Sequence, residues 1–118
     1  MKKKGVSTIF VTSVTRLKYD EEGHLLHTHG EYPKAMKEVA KKLGDPLVDL
    51  ESLTYEDLSK HDYSYNTQHY MIFKPGEYEN YPQGKKDTTH LCRAGAYWIC
   101  SLVVPELKKI DLTANLFR

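Results

Sequence analysis

Between residues 32 and 43 apolar side chains fall at Tyr32, Ala35, Met36, Val39, Ala40 and Leu43. That spacing paints one face of a helix. Lys34, Lys37, Glu38, Lys41 and Lys42 take the other face. Pro33 suits the first turn and Gly44 the stop. A short apolar run lies on each side of this helix, Val6 to Val14 ("VSTIFVTSV") before it and Pro46 to Leu50 ("PLVDL") after it. The first run reads as a buried strand, the second as a short strand ending at Asp49. Strand, helix, strand in that order predicts an α/β layer on parallel strands. A less regular helix is expected over about Glu51 to Lys60, and a long one over about Leu91 to Lys109. The long one is apolar over so much of its surface that packing on more than one side is expected, with a kink or break at Pro105. Two strands are too few for a stable open sheet, and the edge of the run 6–14 would stand open. The sheet is therefore expected to be incomplete, and the chain to pair with a second copy or with an upstream fragment.

The bulk numbers narrow the function classes. Charged residues make up 28% of the 118 and hydrophobic ones 40%, which suits a globular rather than a disordered chain. A formal net charge of +1 gives no general attraction to nucleic acid or to an anionic membrane, and neither is expected as a partner. The run Val6–Val14 is too short and too broken by Ser and Thr for a signal-peptide core, and no stretch approaches a membrane span, so a cytoplasmic location is expected. The lysines at 2–4 read as a solvated helix face. Cys92 and Cys100, eight residues apart, would stand about 12 Å apart along one helix, beyond disulfide reach. Two reduced, mostly buried thiols are expected.

Several constellations carry possible chemistry. His24, His27 and His29 sit in a glycine-punctuated loop beside Asp20, Glu21 and Glu22. They could offer zinc ligands, but their spacing matches no closed site, so solvated loop histidines are the expectation and no metal is assigned. The stretch 74–87, "KPGEYENYPQGKKD", reads as a long surface loop, a common place for function. Its Tyr78 and Tyr81 could stack on sugar rings or simply pack beneath the loop. Arg16 could hold a carboxylate or pair with an Asp or Glu. Asp87 and His90, three apart, head the last helix-like run. A carboxylate that aims an imidazole is two thirds of a hydrolytic triad, and Thr88 and Thr89 could steady the turn between them. An Asp capping the helix with an exposed His beside it is the alternative.

The residues around this pair add to it. "DTTHLCRAGAYWICSLV" resembles the closing block of the SGNH, or GDSL-type, ester hydrolases, with Asp-x-x-His and then Gly-Ala at the start of the last helix. Here these are Asp87, His90 and Gly95–Ala96. "IFVTSVTRLKYDEEGHL" resembles a strand and loop of the rhamnogalacturonan acetylesterase branch, where Thr-Pro-x-x-Arg is usual; this chain has Thr12, Ser13 and Arg16. "GEYPKAMKEVAKKLGDPLVDL" resembles the branch's next helix and strand, and "FKPGEYENYPQGKKDTTH" its loop into the Asp-His block. The resemblance implies a flavodoxin-like, three-layer α/β/α fold. It also implies a cofactor-free Ser-His-Asp mechanism on an acetylated carbohydrate or small ester, with His90 as general base and Asp87 as its orienting acid. The family's nucleophile stands in a Gly-Asp-Ser block, and none of Ser7, Ser13, Ser52, Ser59, Ser64 and Ser101 stands in one. The family's oxyanion Gly and Asn blocks are also missing. Residues 1–118 thus correspond to the C-terminal portion of such a domain, expected to be inactive alone. The reading from a different class is a non-catalytic carbohydrate-binding or protein-interaction module.

Overall fold

A computed structural model describes residues 4–111 and 113, so most of the lysine run at 2–4 lies outside the described residues. The elements follow in the order β1 (Phe10–Val11), α1 (Tyr32–Leu43), β2 (Leu47–Val48), α2 (Leu50–Ser59), α3 (Tyr63–Asn66), a 3-10 turn (Thr67–His69), β3 (Tyr70–Phe73), β4 (Lys85–Leu91) and α4 (Arg93–Lys108). β1 and β2 pair in parallel across α1, as the βαβ pattern demands. β3 and β4 form a separate antiparallel pair. The fold is mixed α/β, and the expectation of parallel strands alone is corrected by this second pair. Its strand β4 begins inside what the sequence marks as loop.

The helices start and stop for local reasons. Pro33 occupies the first turn of α1, where a missing N–H costs nothing. Gly44 closes it in the left-handed region, at φ 68°, its N–H turned back on the last carbonyls. The Asp49 carboxylate caps α2 by accepting from Ser52 N, and Lys37 Nζ holds the same side chain at 2.7 Å. Pro105 sits inside α4 without ending it.

The run 6–14 is not the buried strand that its composition suggests. Val6 and Val11 are exposed, and the buried residue of the run is Thr12, with Thr15 and Leu17 buried just beyond it. The threonine hydroxyls end the ladder by taking over backbone partners. Thr12 Oγ1 accepts from Glu51 N at 2.8 Å and donates to Asp49 at 3.0 Å. Thr15 Oγ1 donates to Glu51 O, and Thr15 N donates to Thr54 Oγ1, both at 3.0 Å. A polar latch thus joins this segment to α2 where the sequence predicts apolar packing.

The core is small. Leu17, Leu58, Tyr70 and Trp98 are its buried members, with Val14, Tyr19, Leu25, Ile72, Leu91, Ile99 and Leu102 against them. α4 contributes only one side; Gly95 and Trp98 are its buried residues, while Tyr97 and Cys100 are exposed. Packing on two sides and burial of both thiols are therefore overturned. Cys92 is half-buried, Cys100 lies on the solvent face, and both are free. The apolar stripe of α1 is likewise uncovered. Ala40 is buried, but Tyr32 is 82% exposed, Leu43 51% and Val39 44%. The accessible area, 8590 Å², exceeds the roughly 6,600 Å² of a compact monomer of this mass. No helix among the described residues is long and apolar enough to cross a membrane.

His69 is the most consequential buried polar residue. Its ring stacks on that of Trp98, centres 4.3 Å apart and nearly parallel, and neither ring nitrogen has a hydrogen-bond partner among the described residues. Burial pushes its pKa down, against a smaller upward pull from Asp57. The unfolded chain therefore takes up a proton that the folded one refuses, so this contribution to stability is present above about pH 6.5 and is lost as pH falls below it. A thermal melt of the wild type should lose Tm between pH 7.5 and 5. The His69→Phe variant, which keeps a ring on Trp98, should lose less over the same interval. Equal losses in the two proteins would show that His69 is not the group responsible.

Candidate active site

The Asp-x-x-His element does not head a helix. It lies in β4, at a break in the register with β3. Tyr70 faces Leu91, but the next residue, Met71, faces Asp87. Thr88, Thr89 and His90 are thus looped out between two paired positions, a bulge of three residues. Two contacts fix the loop. Asp87 Oδ1 accepts from Thr89 N and His90 N, both at 2.9 Å. From the other side, Leu17 N donates to Thr88 O at 3.0 Å. The threonine hydroxyls, expected to steady this turn, make no hydrogen bond among the described residues. The carboxylate and the neighbouring segment do that work.

The same carboxylate aims the imidazole. Asp87 Oδ2 lies 2.8 Å from His90 Nδ1. The two backbone N–H groups, first that of His90 and then that of Thr89, hold the Asp87 pKa well below the usual carboxylate range, and the His90 ring adds to this. An ionised carboxylate only accepts hydrogen bonds. Nδ1 must therefore carry the proton, which leaves Nε2 with a free lone pair. The His90 side chain is 74% exposed, so that lone pair is accessible. An imidazole in this tautomer, held from behind, is equipped to take a proton from a hydroxyl.

Such a pair is inexpensive to make. Asp20 accepts from Glu22 N and His24 N and reaches His24 Nδ1 at 3.1 Å, the same local arrangement in an exposed loop. Asp87–His90 differs in its anchoring to two other elements, β3 and the segment at Leu17.

Gly95 supports the pair from the helix side. A Cβ there would stand 1.9 Å from the His69 carbonyl oxygen. That carbonyl also accepts from Cys92 N at 3.1 Å, and Cys92 Sγ donates to Gln68 O at 3.0 Å. The start of α4 is thus pressed onto the 3-10 turn, two residues beyond His90.

The remaining candidates are placed as follows. Arg16 precedes Leu17, so its backbone adjoins the bulge. The residue is half-buried, and its Nε is buried without an acceptor. Tyr78 and Tyr81 face each other across a tight turn and pack on Phe73, at 4.4 and 5.5 Å between ring centres. Tyr81 lies under Lys85 Nζ; Tyr78 is half exposed and lines an open groove of about 740 Å³. Arg16, Tyr81, Asp87 and His90 do not line that groove. His24, His27 and His29 have separate partners, Asp20, Glu51 and Val14 O. No cluster of three potential metal ligands forms among the described residues. Sequence reading did not single out Arg93 and Tyr97, which line the groove four residues apart on α4. That spacing was the available signal.

A mixed α/β chain presenting a carboxylate-held imidazole is compatible with the general-base half of an ester hydrolase. Comparison with known proteins finds a similarity that runs over most of this chain. The relative is rhamnogalacturonan acetylesterase RhgT of Bacillus subtilis (strain 168), 38% identical over 111 residues. The alignment covers 94% of this chain and 48% of the relative, so the chain spans about half the length of that protein. No protein-family model matches, and no solved structure does.

Proposed function

We propose that this chain is the His–Asp-bearing portion of a carbohydrate acetylesterase of the SGNH type, built on a flavodoxin-like α/β/α frame. The observation that carries the reading is His90, with Nδ1 bound to an ionised Asp87 and Nε2 open to solvent. Nε2 takes the proton of a serine hydroxyl as that oxygen attacks the acetyl carbonyl, and returns it to the leaving sugar oxygen; the acetyl-serine left behind is then hydrolysed by a water that gives its proton to Nε2, which returns it to the serine as acetate leaves. Asp87 keeps the ring in the required tautomer and stabilises the imidazolium. The nucleophile and the oxyanion donors come from a segment outside these 118 residues, supplied by an upstream fragment. The uncovered face of α1 and the open edge of β1 give that fragment a place to pack. The substrate class is an acetylated pectic polysaccharide, whose galacturonate units carry carboxylates.

Without the nucleophile a triad loses on the order of 10⁶ in turnover. The isolated chain should therefore release acetate from acetylated rhamnogalacturonan no faster than its own His90→Ala variant. Mixed with the N-terminal half of the Bacillus subtilis relative, it should form a complex that sediments as a heterodimer and deacetylates the polymer. Turnover by the chain alone that depends on His90, or a stable monomer that ignores the added half, would overturn this reading. A non-catalytic carbohydrate-binding role is the second reading, favoured by the groove that Tyr78 lines apart from His90.

A further inference from the structure

The groove beside α4 has its own chemistry. One wall is the turn after β3, with Lys74 and Tyr78; the other is the first turn of α4, with Arg93 and Tyr97; Thr67 and Gln68 join them. Its volume, about 740 Å³, lies within the range of sites that enclose small ligands. Two aromatic rings stand open in it, Tyr97 at 65% exposure and Tyr78 at 50%. The Arg93 guanidinium lies 5.8 Å from the centre of the Tyr97 ring. Neither Arg93 nor Lys74 has a carboxylate partner among the described residues. The acid in the lining, Glu77, already accepts from Lys74 N at 2.8 Å. An apolar lining, two open rings and two unpaired cations suit a ligand with flat apolar faces and anionic substituents. A uronate-containing oligosaccharide has both features: its ring faces stack on tyrosine, and its carboxylates meet a planar guanidinium.

We propose that this groove is a binding subsite for acidic sugar units, with Arg93 as the carboxylate anchor and Tyr97 and Tyr78 as stacking platforms. The inference rests on the carbohydrate reading above and moves carboxylate recognition from Arg16 to α4. Cys92, on the rim of the groove, is two residues, or about 7 Å of extended chain, from His90.

The test is calorimetric titration of the chain with a non-acetylated galacturonic acid trimer and, in parallel, with a neutral galactose trimer. The acidic trimer should bind more tightly. Arg93→Gln should weaken it about tenfold, as expected for loss of one charge-assisted contact, and Tyr97→Ala should weaken both trimers. Both substituted side chains are exposed, so a circular dichroism melt should be unchanged. The readout is binding of non-acetylated sugar, with no acetate release, which separates this result from any failure of the hydrolase reading. Equal binding of the two trimers, wild-type affinity in Arg93→Gln, or no binding at all would overturn the subsite.

Discussion

In the proposed complex of this chain with the part of its relative that it does not match, His90→Ala should cut acetate release by on the order of 10⁶, leaving only the residual rate that oxyanion donors and binding supply. Asp87→Asn should cost about 10⁴, and it is the more informative variant. Asn can still accept from Thr89 N and His90 N through its oxygen, so the bulge keeps its shape. Its amide nitrogen, however, donates to His90 Nδ1. The ring must then carry its proton on Nε2, where the base is needed. The prediction is a correctly folded, assembled and nearly inactive enzyme. Rates should be compared at equal complex, measured by sedimentation, so that weak assembly is not mistaken for weak chemistry. Wild-type turnover in Asp87→Asn would mean that the carboxylate serves only the turn.

Gly95→Ala should destabilise the chain by about 3 kcal/mol, at the upper end of what overpacking costs. The atom that meets the new methyl is the backbone oxygen of His69, 1.9 Å away, with the carbonyl carbon at 2.9 Å. Neither is the end of a flexible side chain, so α4 and the 3-10 turn must separate. Separation stretches the Cys92 N bond to the same oxygen and loosens the start of the helix. For a domain of this size, Tm should fall by on the order of 10 °C. Ala96→Gly, next along the same helix at an exposed position, provides the control; it should cost only about 1 kcal/mol of helix propensity. A Gly95→Ala protein that melts with the wild type would refute the contact.

The parts of this fold that were legible in the sequence are those specified locally. Pro33 and Gly44 bracket α1, and the apolar spacing between them marks every turn of it. The helix expected over about Glu51 to Lys60 is α2, Leu50–Ser59, and the carboxylate–imidazole pair is visible in its spacing. What was illegible depends on partners distant in sequence. β4, "KKDTTHL", has no apolar alternation, so nothing local marks it as a strand; β3 makes it one. The bulge exists because Met71 pairs with Asp87, a choice no short window contains. The run 6–14 misled for the opposite reason. Its Val and Ile composition signals burial, yet Thr12 and Thr15 are the residues that α2 receives. Periodicity also marked the apolar faces of α1 and α4 without saying whether anything covers them.

The three looped-out residues make the aim of His90 a matter of chain length more than of residue identity. Among the described residues Thr88 and Thr89 lend the turn no side-chain bond, so many residues would serve there. One residue fewer would bring the pair round to the wrong side of the strand and break the hold of Asp87 on the ring. Across descendants of this chain, substitutions between the acid and the histidine should therefore accumulate freely, while insertions and deletions should be purged.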